Sequence, residues 1–251
     1  LLRTLVDSAD RHREALAEVN RVNRVREQFL ATVSHEMRTP LSALSLRLEL
    51  MQRTIPDMPE AVRNGLNLMR KHVAQETLMI NDLIDASRTL TGQMSIERTR
   101  VSLGQVLHDA VSTVEVNAHE KDIALLVTPA DYGERIIIDA DGQRLQQVVW
   151  NLLLNAVKFT PAGGRIVMSV REEGACAVVD VSDSGQGIEA HDLPHVFGAF
   201  NLQKHGNESG LGLGLYIARH IVELHGGSIS VSSAGRGHGS TFSIRLPLSA
   251  S

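Results

Sequence analysis

The chain has 251 residues and a net charge of −4, which is enough length for one large domain or two small ones. Hydrophobic residues make up 43% and charged residues 22% of it, the ordinary balance of a globular chain, and its slight acidity argues against a general nucleic-acid binder. It contains no apolar run near the ~18 residues of a membrane span and no recognisable signal peptide. The single cysteine, Cys176, cannot form an internal disulfide, so we expect a reducing, cytoplasmic compartment.

Residues 1–24 are charged, and their leucines and valines recur mostly at helical spacing. This pattern predicts a helical linker, which is either a coiled-coil lead-in to the next helix or a solvated surface helix. Because the chain begins with leucine rather than methionine, we expect it to be part of a longer protein.

Two long helices follow, the first ending near Arg53 and the second running from about Pro59 to Thr89, with a proline-containing break between them. Each helix carries its apolar residues on one side. Because two such faces are not fully buried within one hairpin, region 25–91 is predicted to form an antiparallel helical hairpin that dimerises into a four-helix bundle.

The first of these helices contains the octamer S-H-E-M-R-T-P-L, residues 34–41. His35 and Thr39 lie on one helix face because they are four residues apart, and Pro40 removes a backbone hydrogen bond just beyond them. A neutral imidazole suits a nucleophile near pH 7, and Glu36 can accept the other ring proton. The alternative is an exposed helix histidine beside an acid.

The pattern changes to alternating helices and strands after Thr91-Gly92-Gln93, which predicts a second domain over 95–248. Two strands split by Glu173-Gly174 are expected to pair antiparallel, and the mixture indicates an α+β fold rather than a doubly wound sheet. Helices are predicted near 102–119, 141–158 and 212–225, and strands near 123–128, 135–139, 164–172, 175–182, 227–233 and 240–247.

The predicted helix near 141–158 carries Asn151, Asn155 and Lys158 on a single face. Two amides and an ammonium are not an ordinary packing face. Amide oxygens can ligate Mg²⁺, and a lysine offers a point charge to phosphate. The alternative is a solvated helix face.

Three glycine-rich or aromatic segments follow. Asp183-Ser184-Gly185-Gln186-Gly187 comes directly after a strand, and its carboxylate can accept a hydrogen bond from an exocyclic amine. Val196-Phe197-Gly198-Ala199-Phe200 precedes a polar stretch at 201–209 that suits a lid. The third segment, 210–217, has glycine at every second position before a helix, where backbone N–H groups bind phosphate. Taken singly, each is also compatible with a plain turn or loop.

The octamer at 34–41 closely resembles the phosphoacceptor box of sensor histidine kinases, S-H-E-x-R-T-P-L. The resemblance implies that His35 is autophosphorylated and that Glu36 assists as a base. It also implies that Thr39 positions a water when the protein dephosphorylates its partner, the receiver domain of a response regulator. The family arrangement further implies a homodimer and an upstream sensor domain.

The later segments resemble, in order, the N, G1, F and G2 boxes of the histidine kinase ATP-binding domain, the Bergerat (GHKL) α/β-sandwich shared with gyrase and Hsp90. The resemblance extends from about residue 25 to 248. It implies ATP and Mg²⁺ as cofactors, with Asn155 as the metal ligand, Asn151 and Lys158 on phosphates or ribose, and Asp183 on the adenine amine. The glycines implied to surround the nucleotide are Gly185 and Gly187 at the base and Gly210, Gly212 and Gly214 at the phosphates.

Two departures from the family pattern bear on the γ-phosphate contacts. Leu211 replaces the hydroxyl residue that often follows the first glycine of the G2 box, and the lid at 201–209 has only Lys204 and His205 as basic residues. Three alternatives remain open from the sequence: a bifunctional protein that acts mainly as a phosphatase through Thr39, a dimeric scaffold that only binds ATP, and an ATPase of the gyrase or Hsp90 type.

Overall fold

The computed structural model describes residues 32–33, 36–55, 58–130, 135–200 and 211–249. The chain divides into two compact units, Leu1–Met94 and Ser95–Ser251. The predicted linker 1–24, the predicted phosphoacceptor His35, the predicted lid 201–209 and Gly210 lie outside the described residues. Among the residues that are described, no helix combines the length and the apolar character needed to cross a membrane.

The first unit contains helix α1, residues 36–54, and helix α2, Glu60–Leu90. The helical assignment of α1 continues through Pro40. Side-chain hydrogen bonds join Arg38 Nη2 to Asn81 Oδ1 at 2.9 Å and Gln52 Nε2 to Asn67 Oδ1 at 2.7 Å. Because an early residue of α1 meets a late residue of α2, the two helices form the predicted antiparallel hairpin.

Only a small apolar cluster is buried near the turn of this hairpin, formed by Leu48, Met58 and Leu66 with Val73 packed against it. Much of the remaining apolar surface of the two helices is open to solvent. Met37, Leu44, Leu50 and Met51 of α1 and Val62, Leu68 and Met69 of α2 are each between 44% and 57% exposed. A hairpin of this kind has apolar faces that a partner can cover.

The second unit is a sheet with helices packed on it. Its elements are β1 (Thr99–Ser102), α3 (Leu103–Glu120), β2 (Ala124–Thr128), β3 (Ile137–Ala140), α4 (Gly142–Phe159), β4 (Arg165–Glu173), β5 (Cys176–Asp183), a 3₁₀ turn (Leu193–His195), α5 (Gly214–Leu224), β6 (Ser228–Ser232) and β7 (Ser240–Pro247). Five strands form a sheet in the order β2-β4-β5-β7-β6, and β1 pairs with β3 in a separate two-stranded sheet. Among the strand pairs of the described residues, β2–β4 alone is parallel.

The core of this unit lies between the sheet and its helices. Strand β4 alternates, with Ile166, Met168 and Val170 buried and their neighbours less so, which is the pattern of a sheet covered on one face. Helix α4 packs between α3 and α5 and also contacts β5. The central position of α4 is what allows its polar residues to meet both the end of β5 and the start of α5.

The predicted β4–β5 hairpin is confirmed, with antiparallel pairing from Ile166↔Asp183 to Glu173↔Cys176. The fold is α+β and not doubly wound, as expected. The short strand β1 was not predicted. It pairs with β3 from Thr99↔Ala140 to Ser102↔Ile137, and its partner lies too far along the chain for local periodicity to reveal it.

A short segment connects the two units, and hydrogen bonds of its backbone N–H groups fix it at each end. Arg88 O accepts the backbone N–H groups of Gln93 at 2.8 Å and of Met94 at 3.2 Å, which continue the end of α2. On the other side, Glu97 N–H donates to Asp141 Oδ2 at 3.2 Å.

Candidate active site

Helix α4 is held at its first turn by Asp141, whose Oδ1 accepts the N–H of Arg144 at 3.1 Å. Its apolar face is fully buried, with Leu152 and Leu153 both at 0% exposure. The opposite face presents the three polar residues that the sequence singled out: Asn151, Asn155 and Lys158.

These three residues have different surroundings. Asn151 is buried at 7% exposure, and its Nδ2 donates to Gly214 O at 3.2 Å. Asn155 is half-buried and makes no hydrogen bond to any residue of the described ranges. The ammonium of Lys158 lies 5.0 Å from the ring centroid of Phe159. Asn151 therefore joins α4 to the start of α5, whereas the Asn155 amide makes no such link within the described residues.

Asp183 is the last residue of β5, and both of its carboxylate oxygens are oriented by the protein. Oδ1 accepts the N–H of Gly185 at 2.8 Å, and Oδ2 accepts the hydroxyl of Ser240 at 2.5 Å. A carboxylate has about four lone-pair sites, so a further donor can still bind. Sequence analysis did not assign a role to Ser240, although its position after Gly237-His238-Gly239 is a signal that could have suggested one.

Backbone hydrogen bonds join the loop after Asp183 to the loop 233–239. Gly237 N–H donates to Gln186 O at 2.7 Å and Gly239 N–H to Gly185 O at 3.1 Å. Gly187 has φ +70°, and a Cβ there would lie 2.0 Å from Gly235 O. Only glycine fits such a contact, so these residues shape the loop through close backbone packing.

Helix α5 begins at Gly214, and the preceding Gly212 has φ +66°. The N-cap residue Leu213 is buried and provides no side-chain cap. The first N–H groups of a helix without a cap attract an anion. A Cβ at Gly214 would lie 3.5 Å from the Asn151 amide, so α5 starts directly against α4.

Three of the four predicted nucleotide-binding motifs, the N, G1 and G2 boxes, thus meet in the second unit. Asn151 bonds to Gly214 at the start of α5, and Phe159 O at the end of α4 accepts the N–H of Gln186 at 3.2 Å. Glu36 and Thr39 belong to the first unit, where both are exposed on α1. The predicted site residues therefore fall into two groups on two separate units.

His225 is buried at 2% exposure and joins the N-terminal end of α4 to the C-terminal end of α5. Its Nε2 accepts the N–H of Asp141 at 2.9 Å, and its Nδ1 lies 2.7 Å from Ile221 O. The carbonyl can only accept, so the proton is on Nδ1. Burial lowers the pKa of His225, with a smaller lowering from Arg98, while the Ile221 carbonyl and Asp141 oppose the shift.

Comparison with known families accounts for both units. Residues 25–92 match the model of the His Kinase A (phospho-acceptor) domain, and residues 140–250 match that of the histidine kinase-, DNA gyrase B- and HSP90-like ATPase. The two matches include the phosphoacceptor octamer and α4 through β7.

Individual relatives agree with the family models. The chain is 32% identical to the circadian input-output histidine kinase CikA of Synechococcus elongatus over 93% of its own length and 31% of that protein. It is 35% identical to the sensor protein DivL of Caulobacter vibrioides, over 93% of the chain and 29% of DivL. It is 33% identical to the sensor histidine kinase RcsC of Escherichia coli, over 97% of the chain and 26% of RcsC. The chain therefore spans less than a third of the length of these relatives.

Solved structures show the same likeness. Full-length ShkA, in complex with AMPPNP, superposes with a TM-score of 0.70 at 26% identity, over 89% of this chain and 46% of that one. The catalytic domain of the histidine kinase ThkA superposes at 0.52 and 26% identity, over 60% of this chain and 95% of that one. With both domain models in the expected order and relatives that match nearly its whole length, the chain belongs to the sensor histidine kinase family and is a catalytic core of that family.

Proposed function

We propose that this chain transfers the γ-phosphoryl group of ATP to His35 and then to an aspartate on the receiver domain of a response regulator. The observation that carries this proposal is a pair of hydrogen bonds, Asn151 to Gly214 and Gln186 to Phe159, which bring α4, the start of α5 and the loop after Asp183 together in one unit. The other unit of the chain contains the octamer 34–41. The AMPPNP complex of ShkA, a structural neighbour, supports ATP as the phosphoryl donor.

Each site residue has a proposed task that follows from its surroundings. Asp183, oriented by Gly185 and Ser240, accepts the adenine amine. The uncapped start of α5 at Gly214, together with Gly212 and Gly210, faces the phosphates. Lys158 contributes positive charge to the phosphates, and Gly185 and Gly187 shape the base pocket. Asn151 acts by holding Gly214 against α4.

The residues present suit a magnesium ion. Asn155 offers an amide oxygen, a hard ligand of the type Mg²⁺ prefers, on a half-buried side chain without a hydrogen-bond partner in the described part of the chain. A bound Mg²⁺ would neutralise charge on the phosphate oxygens. Asn155 would hold it, with the remaining positions left to phosphates and water.

The chemical step takes place at His35. A ring nitrogen forms a bond to the γ-phosphorus as the bond from that phosphorus to the bridging oxygen breaks, and ADP leaves. Glu36 accepts or polarises the proton on the other ring nitrogen, which keeps the attacking nitrogen nucleophilic. Positioning supplies most of the rate, as is usual in phosphoryl transfer.

A second activity, dephosphorylation of the response regulator, is favoured by one observation. Thr39 is exposed on α1, one helical turn beyond His35 in sequence. A hydroxyl there can position a water for attack on a phosphoaspartate. Such an activity does not require the imidazole, so His35→Gln is expected to retain it while Thr39→Ala loses it.

The same proposal assigns the regions and the partners. Residues 1–24 form a signal-input linker, 25–91 the dimerisation and phosphotransfer domain, and 95–248 the ATP-binding domain. The exposed apolar residues of α1 and α2 support a homodimer built as a four-helix bundle. The response regulator is a separate chain, an upstream sensor domain supplies the signal, and the reaction runs in the cytoplasm, where ATP is available.

The test is incubation with γ-labelled ATP and Mg²⁺. Wild type is compared with His35→Gln and with His72→Gln, which removes an exposed histidine of α2 in the same unit. We expect acid-labile, base-stable label on wild type and His72→Gln and none on His35→Gln. Nucleotide binding without label would favour the scaffold, and steady ATP hydrolysis without a phosphoprotein would favour a gyrase- or Hsp90-type ATPase.

A further inference from the structure

The side chain of Lys121 donates hydrogen bonds to two of the last backbone carbonyl groups of α4. The final four carbonyls of a helix have no partner within it. Lys121, the residue that follows α3, places its Nζ 2.7 Å from Val157 O and 2.8 Å from Lys158 O. The ammonium therefore binds the carbonyl of Lys158, whose own side chain belongs to the candidate nucleotide site.

The other two carbonyls of the last turn have backbone partners. Ala156 O accepts the N–H of Thr160 at 3.0 Å, and Phe159 O accepts the N–H of Gln186 at 3.2 Å. Thr160 is completely buried, whereas Lys158 and Phe159 are partly exposed. All four terminal carbonyls of α4 therefore have a donor, and Lys121 supplies the donor for two of them.

The backbone around Lys121 is fixed as well. Lys121 N–H and Ile123 N–H both donate to Ala118 O, at 3.2 and 2.9 Å, and Asp122 O accepts the N–H of Gly163 at 2.8 Å. The Lys121 side chain is partly buried. Its ammonium is thus held at the junction where α3 ends and α4 ends, rather than extended into solvent.

We propose that Lys121 is a positioning residue for the nucleotide site. It holds the last turn of α4 in the geometry that presents Lys158 to the phosphates and Phe159 O to the Gln186 loop. The inference rests on the proposed function, because it assigns Lys121 a part in binding the nucleotide of that reaction.

The physical basis is the charge of the ammonium. A cation at a helix C-terminus interacts favourably with the partial negative charge of the exposed carbonyls. Without it, Val157 O and Lys158 O would each lose this charged donor at a partly buried helix end, and the last turn would unwind toward solvent to recover hydrogen bonds. Unwinding would displace Lys158 and release Gln186, and with it the loop that contains Gly185 and Gly187.

The experiment measures Mg-ADP affinity by calorimetry in the full chain. Lys121→Met keeps the aliphatic stem and removes the donor, and Lys121→Arg restores a cationic donor. Arg98→Met is the matched control, because Arg98 Nη2 caps α5 in the same way by donating to Leu224 O at 2.5 Å, at the helix end away from Gly214. Local opening is followed through hydrogen exchange of the Gln186 amide.

We expect Lys121→Met to weaken Mg-ADP binding by about tenfold, equivalent to about 1.4 kcal/mol, and to speed exchange at Gln186 beyond any change in global stability. Lys121→Arg and Arg98→Met should bind within about twofold of wild type, which is within the usual effect of a neutral change. Equal affinity in wild type and Lys121→Met would overturn the assignment, as would equal losses in Lys121→Met and Arg98→Met.

The experiment distinguishes failure of the proposed function from failure of the positioning role of Lys121. A wild-type chain that binds no Mg-ADP would contradict the proposed function itself. If Lys121→Met does not fold, Lys121→Gln answers the same question, because its neutral amide can serve only part of the ammonium's role. Wild-type affinity and unchanged Gln186 exchange in that variant would then refute the positioning role.

Discussion

Two asparagines on one helix face make the sharpest test of the site, because they differ in what they contact. Asn151 is buried and donates to Gly214 O, whereas Asn155 is half-buried without a hydrogen bond to a described residue. Replacing each by alanine removes the same group from the same helix. The gain in helix propensity is also the same for both, so the difference between the variants isolates their surroundings.

Asn151→Ala should destabilise the ATP-binding unit by about 1–3 kcal/mol, because the buried amide loses its hydrogen bond to Gly214 O and leaves a cavity between α4 and α5. For a unit of this size, each kcal/mol lowers the Tm by roughly 2–4 °C. Asn155→Ala should leave the free energy of unfolding within about 0.5 kcal/mol of wild type. It should nevertheless weaken binding of Mg-ADP at least about tenfold, or about 1.4 kcal/mol.

Urea unfolding followed by tryptophan fluorescence measures the first quantity. The chain has one tryptophan, and this residue, Trp150, lies in α4. The signal therefore reports the ATP-binding unit rather than the helical hairpin. Calorimetry with ADP measures the second quantity, with Mg²⁺ present and with the metal removed by chelation.

Removal of the metal provides a second test of Asn155. In the presence of a chelator, wild type and Asn155→Ala should bind ADP equally, since the amide is proposed to act only through the metal. Equal loss of stability in both variants would refute the contrast in surroundings. An affinity difference that survives metal removal would refute the assignment of Asn155 as a magnesium ligand.

Three other predictions concern pH and loop packing. Burial lowers the pKa of His225 in the folded chain, so on acidification the unfolded chain binds a proton at this histidine before the folded chain does. The free energy of unfolding of the ATP-binding unit should therefore fall as pH drops below about 6.5. His225→Gln should flatten this pH dependence when unfolding is followed by Trp150 fluorescence. Burial, aided by Asp85, raises the pKa of Asp82 to about 6. The stability of the hairpin should therefore fall as pH rises through this value, and circular dichroism should show that Asp82→Asn removes the effect. Gly187→Ala should lower the free energy of unfolding by at least about 1–2 kcal/mol from its left-handed backbone alone, and it should also weaken ADP binding. Gly174→Ala is the control, because Gly174 has φ +63° but open space around it. It should lose a similar amount of stability from the backbone without weakening ADP binding.

Much of the fold was predictable because its signals are local. The hairpin of long helices follows from one-sided apolar spacing, and the β4–β5 pair follows from two alternating runs around Gly174. Strand β1 escaped prediction because four residues carry little periodicity and the partner, β3, is distant in sequence. The same reason hid Lys121, whose acceptors lie at the end of another helix.

The site was predictable to the level of residue type and face, but not of environment. Helical spacing places Asn151 and Asn155 on one face, yet it does not say that the start of α5 covers only the first of them. Likewise, Ser240 appeared as an ordinary strand residue, and its bond to Asp183 depends on the pairing of β5 with β7. Pairing between distant segments is what sequence periodicity leaves undetermined.

The attachment of the connecting segment at both ends has a consequence for movement. In the described part of the chain, the last backbone hydrogen bond on the α2 side is made by Met94 and the first contact on the ATP-binding side by the N–H of Glu97. Ser95 and Ile96 lie between these two anchored nitrogens, which are three residues apart and therefore at most about 11 Å apart. A covalent connection this short keeps the effective concentration of one unit at the other high. Inserting two or three glycines after Ser95 should therefore slow phosphorylation of His35 without changing the affinity for ADP.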